Sequence, residues 1–142
     1  MQEVPIDIDS WVKETSTLWI KRGIKILPGA TIAIIESTEA DLGFRFPSDM
    51  KDLYRVVNGF KDCDMDVSSM ISIWPMERIR EEYIASNDKN FIGFCDWLIF
   101  SHSIGFFKGR MGIFKCYDEL NAIAETFRQV IDMINNDSEL LV

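Results

Sequence analysis

Apolar positions recur at helical spacing through the first third of the chain and at sheet spacing from Phe91 onward, with clear stops between the runs. Trp11, Val12, Leu18 and Trp19 form one stripe that Asp9-Ser10 can cap and Gly23 can end, which predicts a packed first helix. Residues 24–29 read as a connector closed by a Pro28-Gly29 turn. Thr31 then opens a second helix with Ile32, Ile35, Glu39 and Leu42 along one side and Glu36 and Asp41 turned outward. Gly43 supplies the positive φ that stops it. Pro47 sets an extended elbow, Ser48 or Asp49 is placed to cap a third helix, and Met50, Leu53, Tyr54 and Val57 make its buried face. Asn58-Gly59 predicts its end.

A polar loop with Asp62, Asp64 and Asp66 follows. Ile71-Ser72-Ile73-Trp74 alternates like a half-buried strand, and Pro75 ends it and can open a helix through Met76, Ile79, Arg80 and Tyr83. Residues 87–90 form a loop, after which residues 91–94, 97–101, 104–107 and 111–116 read as strands, with Lys108-Gly109-Arg110 as a hairpin connection. A closing helix is expected from Asp118 or Asn121, with Ile123, Phe127, Val130, Ile131 and Ile134 inside, Gln129 on the polar side and Asn135-Asn136 at its end. Asp137-Ser138-Glu139 begins a further turn or frays. The layout is α+β: N-terminal helices and a C-terminal helix packed on a mostly antiparallel sheet. The chain reads as a single domain over residues 1–142, with an N-terminal helix and connector (1–29), a core (30–136) and a C-terminal tail (137–142).

Two motifs carry a family resemblance. An acidic helix, then Leu42-Gly43-Phe44-x-Phe46-Pro47-x-Asp49, then an amphipathic helix closing on Asn58-Gly59 resembles the SMI1/KNR4 (SUKH) superfamily. The run from Phe91 through Cys95-Asp96-Trp97-Leu98-Ile99 to Ser101-His102 is similar to the Phe-Ala-Asp-Tyr-Leu-Ile-x-Ser-His stretch of some members. The resemblance spans roughly residues 30 to 133. It implies an α+β binding module, in many bacterial members an immunity protein that blocks a secreted toxin's effector domain. It also leaves room for a regulatory scaffold of the fungal kind, although the long disordered extensions usual there are missing here.

Composition narrows the partner. A net charge of −8 repels phosphate backbones and anionic headgroups and attracts basic proteins, so direct nucleic-acid and membrane binding are not expected. The same acidity also serves solubility. Cys63, Cys95 and Cys116 match neither a disulfide framework nor a C-x-x-C motif, and the N-terminus has no basic start or apolar core of a signal peptide. A cytoplasmic protein is expected.

Candidate chemistry is sparse. Asp62-x-Asp64-x-Asp66 has the opening of a calcium loop, but Val67 stands where glycine is needed and Ile73 where glutamate is needed. His102 is the sole histidine and has no nucleophile elbow nearby, so it is expected to bond across the sheet. Asp96 is expected at a turn, where backbone N–H groups can satisfy it. No enzyme activity, cofactor or metal is therefore expected. The partner face is assigned to Asp62, Asp64, Asp66, Glu81, Glu82, Asp88 and Asp96, with Trp74 or Trp97 as an aromatic anchor. Those rings could equally belong to the core.

Overall fold

The computed structural model describes residues 10–98 and 101–136. Helix α1 (Ser10–Lys21) forms as its stripe predicts, burying Trp11, Val12, Thr15 and Trp19. Gly23 ends it at φ 78°. Asp9, half of the expected cap, lies outside the described residues, and Ser10 is already helical. The expected connector is in fact strand β1 (Ile26–Pro28), antiparallel to β2 (Val57–Phe60) with Ile26 opposite Phe60. Three residues are too few for alternation to stand out in sequence, and only the distant partner reveals the strand.

Helix α2 (Ile32–Leu42) starts on Thr31, whose hydroxyl accepts the Ile34 N–H at 3.2 Å, and stops at Gly43 with φ 62°. Its buried side runs through Ile35, Thr38 and Leu42, leaving Ile32 51% exposed. Thr38 can lie inside because its hydroxyl donates to the Ile34 carbonyl at 2.8 Å. At the elbow, the Glu39 carboxylate accepts the Phe46 N–H at 2.7 Å and meets Lys51 at 3.1 Å. Helix α3 (Ser48–Tyr54) follows Pro47 and begins without the side-chain cap expected from Ser48 or Asp49. Asp49 accepts the Met50 N–H through one oxygen and the Arg128 N–H through the other.

The third helix ends at Tyr54, so Asn58-Gly59 belongs to β2 instead of terminating a helix. Gly59 is needed there for two other reasons. Its φ is 72°, and a Cβ would lie 2.5 Å from the backbone of Trp74 and Pro75, where two chain segments cross.

The main sheet is antiparallel in the order β3 (Ile71–Ile73), β4 (Phe91–Trp97), β5 (His102–Phe107) and β6 (Phe114–Lys115). Strand β3 is buried along its whole length, not half-buried. Residues 91–97 form one strand where two were expected, and Asp96 lies within it, one residue from its end, opposite Ser72 and Ser103. Between β3 and β4 runs helix α4 (Met76–Ala85), entered through Pro75. Helix α5 (Phe127–Asn135) starts later than expected, because Ala124 is held in an extended bridge to Ile113. Thr126 and Gln129 then cap it reciprocally. The tail beyond residue 136 lies outside the described residues.

The core is a chain of rings. Trp19 meets Phe60 edge-on at 5.0 Å, while Tyr54 and Phe94 both pack on Phe127 and Phe94 continues to Phe106. Tyr54 donates its hydroxyl proton to the Trp74 carbonyl at 2.6 Å, joining helix to sheet. Helices α1 and α5 lie side by side in the same direction: Arg128 covers Trp11 at 5.5 Å, and the Trp19 indole donates to Asn135 Oδ1 at 2.9 Å.

Candidate functional site

Arg78 joins three of the candidate residues, Trp74, Glu82 and Asp96. One turn of α4 brings it within 3.8 Å of Glu82, and its guanidinium lies over the Trp74 ring at 4.5 Å. It also stands 3.8 Å from Asp96 and donates to the Cys63 sulfur at 3.7 Å. The Trp74 indole N–H donates to Asp96 at 2.7 Å. A buried carboxylate needs donors or a counter-charge, and Asp96 has both here, which is why it can lie within a sheet strand at 3% exposure.

The expected placement of Asp96 at a turn is therefore corrected. Its side chain, like that of Trp74, is buried in the fold. Asp66 is interior as well: it pairs with Arg22 at 2.8 Å and accepts from the Ser68 N–H and the Ser69 hydroxyl. Asp64 is half-buried, accepting the Lys25 N–H at 2.7 Å. The Asp64 and Asp66 carboxylates thus turn to separate protein donors, not to a common centre.

Asp62, Glu81, Glu82 and Asp88 are exposed, and Trp97 is half-exposed. Cys63 brings the Asp62 loop against Arg78, whose guanidinium also meets Glu82. Asp88 lies farther along, shaping its own loop by accepting the Asn90 N–H. Trp97 stacks on His102 across the β4–β5 pair with ring centres 5.3 Å apart, and Tyr117 meets His102 edge-on. His102 is thus held between two rings.

A shallow cleft of about 260 Å³ lies beside α4, bounded by Trp74, Glu82, Tyr83, Phe91, Gly93 and Ser103. Sequence reasoning missed Ile84, which is 54% exposed on the outer side of α4 near Glu81. Its signal was present: Ile84 falls off the Met76, Ile79, Tyr83 stripe. Val67, exposed on the aspartate loop, was also passed over.

Burial pushes the Cys95 thiol and the Tyr54 hydroxyl well above their ordinary titration ranges; Asp96 adds to the first, and Cys95 and Glu77 to the second. All three cysteines are free thiols. Among the described residues, no group of three or more His, Cys, Asp or Glu side chains is placed to hold a metal ion.

These features define an α+β domain whose buried polar groups hold the fold and whose free carboxylates face outward. The chain belongs to the SMI1 / KNR4 family (SUKH-1), whose sequence model matches residues 29–133. Helix α1 and strand β1 precede that span. No curated protein matches the chain. No described helix is long and apolar enough to cross a membrane.

Proposed function

We propose that this protein is a non-catalytic binding module of the immunity type, which neutralises a toxin by covering its effector domain. The observation that carries the reading is the pair of exposed carboxylates Glu81 and Glu82 on α4, with Asp62 exposed on the loop whose Cys63 meets Arg78 of that helix, on a chain of net charge −8. A toxin domain that acts on a polyanion is basic, and an acidic cover is drawn to its groove. Ile84 beside Glu81 supplies the apolar contact that Trp74, being internal, does not. Trp97 offers a second, partly exposed ring. Asp88 extends the acidic surface, whereas Asp66, Asp96 and Trp74 act by holding the frame.

Family membership supports a protein partner. The test is co-expression with the product of the neighbouring gene, followed by co-purification and a growth-protection assay. A 1:1 complex and rescue of growth are expected. Loss of the complex in the double variant Glu81→Lys/Glu82→Lys, with unchanged thermal stability, would place the contact on α4. Absence of both complex and rescue for the wild-type chain would reject the immunity reading.

A further inference from the structure

Four described non-glycine residues have positive φ, three of them in the 61–70 loop and the fourth in the turn after β4: Asp62 (55°), Cys63 (58°), Met70 (64°) and Leu98 (49°). The Leu98 N–H donates to the Met70 carbonyl at 2.8 Å, tying the 61–70 loop to the turn after β4. Residues with a side chain are strained in that region, so such a conformation lasts only where surrounding contacts over-determine it.

Much of that restraint comes from the N-terminal segment. Arg22 reaches Asp66 at 2.8 Å with one nitrogen and the Asn135 carbonyl at 2.9 Å with the other. Lys25 donates its N–H to Asp64 at 2.7 Å and accepts from the Lys61 N–H at 2.7 Å. Both residues precede position 29, where the family match begins. Ser72, whose hydroxyl donates to the Asp64 carbonyl, and Arg78 hold the loop from the other side.

We propose that residues 10–28 are a brace that keeps the 61–70 loop in one strained conformation, with Arg22 as its positioning residue. The loop carries Asp62 outward, together with Val67 at 79% exposure, while Asp64 and Asp66 are anchored inward. A loop set in advance loses less freedom when a partner arrives. The partner itself, a basic protein, rests on the function proposed above. The brace does not.

Hydrogen exchange of the whole chain tests it, comparing wild type with Arg22→Ala and Arg22→Lys. Amides of the 61–70 loop should exchange about tenfold faster in Arg22→Ala, while α2, β4 and β5 keep wild-type rates. Arg22→Lys should fall between, since an ammonium reaches Asp66 or Asn135 but lacks the fork that spans both. Uniform acceleration across loop, α2, β4 and β5 would reduce Arg22 to a contributor to global stability and overturn the brace. An unchanged loop would overturn it as well. If Arg22→Ala does not fold, Arg22→Lys is judged by the same pattern. In a second arm, Arg22→Ala should weaken binding to the neighbouring gene's product about tenfold, chiefly through faster dissociation. A wild-type chain that binds nothing would sink the proposed function, and the exchange pattern would still decide the brace.

Discussion

Asp96 has a role that only its neighbours reveal. Its carboxylate answers the Trp74 indole and faces the Arg78 guanidinium, so Asp96→Ala should take the acceptor from a buried indole N–H and remove a counter-charge 3.8 Å from Arg78. We expect a loss of roughly 2–4 kcal/mol in urea denaturation, and a smaller loss for Asp96→Asn, whose amide oxygen still accepts from Trp74. An unchanged midpoint for Asp96→Ala would refute this structural role. Cys95 and Tyr54 make the fold sensitive to alkali. Their folded titration points are raised, so the folded chain keeps protons that the unfolded chain releases. Stability is intact below the unfolded values and should fall as pH passes roughly 8.5 and then 10. Denaturation midpoints measured from neutral to alkaline pH check this, and Tyr54→Phe should remove the steeper, later part of the decline.

Among the elements, α5 is the one most dependent on residues far away. Asp49 accepts its Arg128 N–H from the far side of the elbow, and Arg22 donates to its last carbonyl. An anion thus serves the positive end of the helix and a cation the negative end. Asp49→Ala should cost about 1–2 kcal/mol by chemical denaturation, and Thr126→Ala about 1 kcal/mol, because each removes a donor's partner in the first turn. The two losses should add incompletely, since both act on that one turn. Elements with strong local signals were legible from residue order: Thr31 and Gly43 bracket α2 because a hydroxyl cap and a left-handed stop are chemistry of adjacent residues. Strand β1 was not legible, and neither were the continuity of β4 or the late start of α5. Each is settled by a partner distant in sequence: Phe60 for Ile26, Ser72 and Ser103 for Asp96, and Ile113 for Ala124. Asn58-Gly59 shows the same limit in another form, because the glycine is required by a crossing segment and not by a helix end.

For the whole molecule, the family pattern and the acidic balance could both be read without coordinates, since order, spacing and net charge belong to the chain itself. Which acids remain available could not. Asp62, Asp64 and Asp66 look alike in sequence, yet they end exposed, half-buried and buried, because Lys25 and Arg22 draw two of them inward. Long-range attraction to a basic partner depends on total charge more than on any one of these groups. The association rate should therefore fall steeply with added salt while dissociation changes little, as stopped-flow mixing at several ionic strengths would reveal. A rate indifferent to salt would remove electrostatic steering from the mechanism. The pairing of α1 with α5 bears on biosynthesis. Trp19 and Arg22 leave the ribosome 116 and 113 residues ahead of Asn135, which both of them grip. The contact between α1 and α5 therefore closes only once Asn135 has been made, and a product stalled or cut before that point is left open to proteases.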